Sequence, residues 1–587
     1  MGLTVKPDPD RKLNRERVDT TAPLQPTMAT IHDDDELLLA RIGYKQELRR
    51  EFSKWSTVSY AISILGVLGS VPATFGAPLS AGGPATAVWC WLIGSCMAMC
   101  IGSSVAELVS AYPTAGGMYF VTKHVVPPDQ VPIFSWIQGW CNLLGQTAGV
   151  SSVAYTVSQM LLACISMNSD LIDGKYSYAP TALETVLVSI AILCILGVIC
   201  SLTTKSLHRI ILWFAPINSV YQGTCYWIFT NAFTVGATIC ICIALITLTP
   251  NLQPASWVFG HFTDGSGWGS KVFSFFLGFL SVAWTMTDYD GTTQYATPKS
   301  TFSSLHSNVL TFHPYCSMSE ETHDAAVRGP VAIQTAVLVS GALGWLLTVS
   351  MCFCITDFEG ILTSPTGLPA AQIFLNAGGK RGGTIMWAFA ILVQFFTGCS
   401  AMLADTRMAY AFARDDALPF SKFLSKVNSR THTPVNAVWF VVIFSVGLNC
   451  IAIGSTQTAT AIFNITAPAL DLSYVSVILA HQLYKSKVKF IEGPFTLGKW
   501  GTPINYIAVV WVLFISTILF FPPQLPVTPA NMNYAICVGG FIAAFALIWW
   551  WVAARGKYTG PQTNDIIREV PTEDDGDDSE GSGEIAV

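Results

Sequence analysis

The feature that most limits this chain is a succession of apolar runs, each near the roughly 20 residues that one bilayer-spanning helix requires. In hydrocarbon every backbone amide and carbonyl must find a partner inside the protein, and a single run of this length achieves that only as helix. Charged residues make up 12% of the 587, about half the share of a soluble domain, while 51% are hydrophobic. An ordinary cytosolic enzyme is excluded. A strongly basic nucleic-acid binder is disfavoured, because the formal net charge is -6 with only 31 Lys and Arg. The 16 Cys fall mostly within the apolar runs and read as small buried hydrophobes.

Periodicity and length place spans near 57–79, 86–110, 131–162, 181–203, 209–249, 270–290, 329–355, 384–412, 434–454, 457–483, 503–522 and 533–553, numbered here 1 to 12. With the amino end inside, Lys and Arg divide 27 to 4 between the inner and outer sides, and 14 to 4 when both tails are left out. The bias supports this orientation, with both termini cytoplasmic. Residues 1–54 carry charges throughout and show no apolar core with a cleavage site, so no removable signal peptide is expected. The sequence therefore reads as a disordered to amphipathic amino tail (1–54), a membrane domain (55–555) and an acidic, disordered carboxyl tail (556–587).

Two runs are apolar yet ill suited to unbroken helix. Span 1 contains Gly66, Gly69 and Pro72, residues that cost up to about 1 kcal/mol (Gly) and about 3 kcal/mol (Pro) in a helix interior. Unwound backbone at membrane depth is tolerated only where it lines a cavity or is buried in protein. Amides of Gly66, Val67 and Gly69, with the Ser70 hydroxyl, would there meet an anionic group such as a substrate carboxylate. Span 6 ends in Trp284, Thr287, Asp288, Tyr289, Asp290 and Gly291, whose carboxylates are costly at that depth unless they face water, a partner or a ligand. Trp284 and Tyr289 could wall an amine by cation–π contact. Breaks five helices apart are the spacing expected of two five-helix inverted repeats.

At these residues the sequence resembles the amino acid/choline transporter family of fungal permeases, within the amino acid-polyamine-organocation superfamily. The resemblance is carried by Ala81-Gly82-Gly83-Pro84 with Tyr112-Pro113 and Gly116-Gly117-Met118-Tyr119, by Tyr289-Asp290-Gly291, by Met318-Ser319-Glu320-Glu321 with Arg328-Gly329-Pro330, and by the stretch from Arg407 to Asp415. It implies an all-α fold of twelve transmembrane helices, two inverted repeats with helices 1 and 6 broken plus two extra helices. It further implies a permease for amino acids, 4-aminobutyrate, choline or polyamines, with proton symport the family default. Asp288 stands where the family more often has Gly, Asp405-Thr406 where Ser is commoner before Arg-Met, and Asp416 where Gly is usual. The extra carboxylate at 288 either favours a cationic substrate or spoils the usual pocket.

Two stretches interrupt that pattern. Gln294-Tyr295-Ala296 can be encoded with an intron donor (GTATGC), Val309-Leu310-Thr311 with a branch sequence (TACTAAC), and Cys316-Ser317 with an acceptor; joining the outer fragments restores His in frame before Met318. Residues 219–235 permit the same three signals and would convert an overlong span 5 to ordinary length. Both are expected to be retained introns, and their removal leaves 548 residues. The competing reading is a genuine insertion, a re-entrant turn in span 5 and a loop after span 6.

Four more residues stand out. Glu107 lies near the inner end of span 2, Asp471 deep in span 10, and Asp405 and Arg407 close enough along span 8 to pair locally. They are candidates for gating or coupling. Asp288, Asp290 and Asp471 are the candidate proton carriers, since spans 1, 5 and 8 hold no lysine. Cys240-Ile241-Cys242 and Cys352-Phe353-Cys354 lack zinc spacing, so no metal and no cofactor is expected. Trp549-Trp550-Trp551 reads as an interfacial anchor. No GxxxxGK[ST] loop occurs, which leaves an ion gradient as the energy source. The sequence thus describes a secondary active transporter with a small amine or amino acid and a proton as partners, in a host membrane that it leaves open between the cell surface, which is favoured, and the vacuole. The rival is a nutrient-sensing receptor on the same fold that binds without transport.

Overall fold

The computed structural model describes residues 62–112, 117–172, 175–202, 225–288, 325–428, 431, 433–453, 456–529 and 531–561, all within one compact helical unit. Tyr289, Asp290, the stretch 294–317 and residues 219–224 lie outside them. Among the described residues, helix is found within each of the predicted runs. Eight helices are long and apolar enough to cross a membrane, and four shorter apolar ones are Ile62–Thr74, Val235–Leu248, Lys271–Thr285 and Val435–Ile451. Among the described residues the only strands are Leu171–Ile172 and Lys175–Tyr176, an antiparallel pair in the connection between spans 3 and 4.

Several helices run beyond the apolar limits and are divided by single residues. One continuous stretch, Gly76–Ala111, is split at Gly83 (φ 83°, ψ -174°), which marks the passage from span 1 to span 2. The 261–265 segment braces this turn: the Thr263 amide donates to the Gly82 carbonyl and the Gly265 amide to the Ala81 carbonyl, each at 3.0 Å. Likewise Pro369–Arg414 is split at Gly379 (φ 61°), separating a short helix from span 8. Span 3 extends over Val131–Asn168. Span 4 begins in a capping box, with the Glu184 amide donating to Thr181 Oγ1 at 3.2 Å and the Thr181 amide to Glu184 Oε2 at 2.8 Å.

Span 2 packs most extensively on span 7, and span 3 on span 8 and span 10. Apolar side chains gain little from leaving lipid for protein, so such contacts rely on small residues that admit close approach. Gly145 of span 3 lies against Leu470 of span 10, and Gly139 against Phe412 of span 8. A Cβ on Gly145 would sit 2.6 Å from Leu470 Cγ and 2.7 Å from its amide nitrogen. Gly145→Ala is therefore expected to lower stability by about 1–3 kcal/mol, read as a lower thermal midpoint of the purified protein in detergent. Around this core, Ile243, Ile443, Val510 and Phe541 are more than half exposed, as side chains bathed by lipid would be. At the end of span 12 a π-helical turn, Trp550–Ala554, sends Trp550 inward against Trp136 (ring centroids 5.2 Å apart), while Arg555 stacks over Trp551 at 4.3 Å.

Candidate functional site

Span 1 is broken at one residue. Residues 62–65 form a helical turn, Gly66 adopts the left-handed conformation (φ 46°, ψ 45°), and helix resumes at Val67–Thr74. The local unwinding expected in this segment is confined to Gly66, and Pro72 lies within regular helix. Gly66 is fixed there by its neighbour as well as by its dihedral angles: a Cβ would fall 1.7 Å from Thr397 Oγ1 of span 8. Gly69 approaches Gln394 in the same way, at 2.6 Å. The amides of Gly69 and Ser70 both donate to the Gly66 carbonyl at 2.9 Å, and the Gly66 amide to the Ile62 carbonyl at 3.3 Å, so in this state all three are engaged within span 1.

Span 6 is bent at Gly278-Phe279, between the helices Lys271–Leu277 and Leu280–Thr285, and loses helical form at Met286. Asp288 has φ 63°, a conformation that costs a residue with a side chain roughly 1–2 kcal/mol. It is held by a hydrogen bond from Gln146 Nε2 of span 3 to Asp288 Oδ1 (2.5 Å). Its neighbour Thr287 donates to Asp471 Oδ1 of span 10 at 3.3 Å. Trp284 donates through Nε1 to Ser152 Oγ (2.9 Å) and stands with its ring 5.3 Å from that of Phe463.

The two breaks face one cavity. Its lining includes Ser70, Gln146, Trp284, Thr287, Asp288 and Thr397, with a volume of about 40 Å³. A water site needs roughly 10–15 Å³ on this measure, so the space holds a few waters and must widen to admit an amino acid. Ser70 is tied to the wall by a bond from its hydroxyl to Gln394 Oε1 (3.0 Å), and Gln394 donates onward to Thr156 Oγ1 (3.1 Å). Of the residues proposed for span 1, Ser70 lines the cavity, whereas Gly66, Val67 and Gly69 form the turn behind it. Sequence reasoning missed Gln146, Gln394 and Thr397. The signal was present, since Gln138, Asn142 and Gln146 recur every four residues along span 3.

The remaining candidates separate. Asp405 and Arg407 lie close enough in sequence to pair locally, but residues two apart on a helix face different directions, and neither Asp405 oxygen has a hydrogen-bond partner. Arg407 is buried near Cys200 of span 4 instead. Glu107 belongs to a latch at the end of the bundle where span 2 meets the 10–11 connection. The Leu497 amide donates to Glu107 Oε1 (3.0 Å), the Phe495 amide to Ser110 Oγ (2.9 Å), and the Ile491 amide to the Tyr112 hydroxyl (3.5 Å). Nearby, Tyr558 fills a pocket against Trp136 and shares hydrogen bonds with Tyr119 (2.7 Å) and Ser135 (2.9 Å).

His124, on the short helix Gly117–Val125, stacks on Tyr112 at 4.1 Å within this latch. Burial, and secondarily the Lys123 charge, push its imidazole down to about 4. Between that value and the ordinary 6.5 the unfolded chain binds more protons than the folded one, so stability rises with pH across this window. Thermal midpoints of wild type and His124→Gln at steps from pH 4 to 7 check this. The wild-type curve should climb more steeply, and parallel curves would remove His124 as the cause.

Compared with known proteins, residues 52–301 and 309–543 match the amino acid permease family. The break in that match falls inside 294–317, while 219–235 is spanned without one. The chain is 40% identical to an uncharacterized amino-acid permease of Schizosaccharomyces pombe, with 92% of each chain covered. It is 34% identical to amino-acid permease 2 of Neurospora crassa (92% of this chain, 91% of the other). Against the GABA-specific permease of Saccharomyces cerevisiae it is 29% identical, with 90% of this chain and 86% of the other covered.

Proposed function

The chain belongs to the amino acid permease family, and from that premise we propose a secondary active carrier that moves a zwitterionic amino acid or related amine, 4-aminobutyrate and choline included, together with protons. It is a multi-pass membrane transporter rather than an enzyme. The observation that carries the proposal is the small cavity bounded by the break at Gly66 and the turn at Asp288. The amino end of helix Val67–Thr74 suits a carboxylate, with the Ser70 hydroxyl beside it. Asp288 and the Trp284 ring suit an ammonium group on the other side. Tyr289 and Asp290 follow directly in sequence and complete the proposed site.

Alternating access explains why the cavity is too small for its cargo in this state: the substrate enters when one end of the bundle swings open, and the closed form is an intermediate. The proposed scaffold is twelve spans, two five-helix inverted repeats and two further helices. The pairs that such repeats would relate, spans 2 with 7 and 3 with 8, are also those packed most extensively. The latch at Glu107 and Tyr112, at the end rich in Lys and Arg, serves as the cytoplasmic gate. Both tails lie on that side of a plasma membrane.

Stretches 219–235 and 294–317 are proposed as retained introns, the second supported by the break in the family match. Amplifying message across both sites tests this, and a single product encoding all 587 residues refutes it. Transport is tested with the 548-residue and the full-length chains in transport-deficient cells. Labelled amino acids, 4-aminobutyrate and choline are supplied with and without a protonophore. Concentrative, protonophore-sensitive uptake is expected; saturable binding without accumulation identifies a receptor instead.

A further inference from the structure

Along span 8 the residues Thr397, Ala401 and Asp405 recur every four positions and so share one stripe of the helix. Thr397 and Ala401 line the cavity. Asp405 is one turn further on, about 6 Å along the axis. From the facing helix, Gln146 lines the same cavity, and the next residue, Thr147, brings its hydroxyl toward Asp405 while donating to the Leu143 carbonyl (2.7 Å). Asp405 is 0% exposed, and both of its oxygens are buried without a hydrogen-bond partner. Asp288 and Asp471, by contrast, each accept a side-chain hydrogen bond.

A bare carboxylate charge in such surroundings is costly unless something compensates it. The helices packed on span 8 offer little. Spans 1 and 3 carry no Asp, Glu, Lys, Arg or His within 62–82 and 131–168, and the described parts of spans 5 and 9 carry none either. Span 4 has Glu184 at its far, capped end and Cys200 beside Arg407. On span 8 itself, the buried Arg407 stands two residues on but beside Cys200, Lys380 and Arg381 stand at the far end and Arg414 and Asp415 at the near one, with Lys422 and Lys426 beyond. Asp357 and Glu359 belong to the short helix before span 8. Asp288 approaches through Gln146 with a charge of the same sign. Toward the Glu107 end, Gln138 and the Oδ1 of Asn142 are also buried and unpartnered, so polar atoms continue along span 3 past the cavity.

We propose that Asp405 is the proton-binding site of the transport cycle. The proton binds the Asp405 carboxylate as substrate occupies the cavity one helical turn away, and leaves toward the cytoplasm once the latch opens. This inference rests on the proton-coupled reading above.

Reconstituted vesicles carrying wild type, Asp405→Asn or Asp405→Glu, with an imposed potential of about 100 mV, test it. One proton per zwitterion supports roughly 50-fold accumulation at that potential, with proton entry reported by an internal pH dye. Asp405→Asn, a fixed mimic of the protonated form, should exchange substrate yet bring its accumulation down to about the external level with no proton entry. Asp405→Glu should keep coupling with a displaced pH profile, which guards against a folding defect in the Asn variant. Coupled wild type with equally coupled Asp405→Asn, or with Asp405→Glu unchanged in its pH profile, overturns the Asp405 assignment alone. Wild type that accumulates substrate with no proton entry overturns the proton-coupled reading and this proposal with it.

Discussion

Replacing Gly66 by alanine is expected to abolish uptake and to lower stability by about 2–5 kcal/mol. The figure combines the strain of a left-handed residue with a side chain, roughly 1–2 kcal/mol, and overpacking of roughly 1–3 kcal/mol. The overpacking has a named source, since the new methyl would occupy the place of Thr397 Oγ1, 1.7 Å away. Thr397→Ala removes that oxygen together with its hydrogen bonds to the Ser63 and Val393 carbonyls, each 3.2 Å. The double variant should therefore be less damaged than the two single losses combined, with a coupling of about 0.5–3 kcal/mol in a thermodynamic cycle. Strict additivity would mean that span 1 does not depend on span 8 for its break.

Asp288 separates strain from chemistry. Because its φ of 63° suits glycine, Asp288→Gly relieves roughly 1–2 kcal/mol of strain but loses the hydrogen bond from Gln146, so its stability should stay within about 2 kcal/mol of wild type while the carboxylate is gone. Asp288→Asn keeps a side chain that tolerates this conformation and removes only the charge. Both are expected to lower uptake of a cationic or zwitterionic substrate by about 10- to 100-fold, the loss of a charged hydrogen bond worth about 1.5–3 kcal/mol. A folded Asp288→Gly protein that carries substrate at the wild-type rate would remove this carboxylate from the site.

Much of this arrangement can be read in the sequence, and what cannot has a physical reason. Length and hydropathy locate a helix in each apolar run, because hydrocarbon leaves the backbone no alternative. They do not locate the ends. Span 3 continues to Asn168 and span 8 begins beyond Gly379, where contacts between helices, rather than lipid, satisfy the extra turns. The Gly66 to Pro72 interval identifies a weak segment, yet it does not say that Gly66, which packs against Thr397 of span 8, leaves the helix while Gly69 and Pro72 stay in it. Such long-range packing has no local signature. The cavity walls contributed by Gln146 and Thr397 were hidden for the same reason, although polar side chains in the middle of an apolar run already announce a buried partner or a pathway.

The central claim is that the space between the two breaks is where the substrate is held. A density map of the protein with its transported amino acid bound tests it most directly. The account predicts the solute enclosed by Ser70, Gln146, Trp284 and Thr397, its carboxylate toward the start of helix Val67–Thr74 and the cavity enlarged beyond its present 40 Å³. A bound solute at another place, with this cavity unchanged, would contradict it.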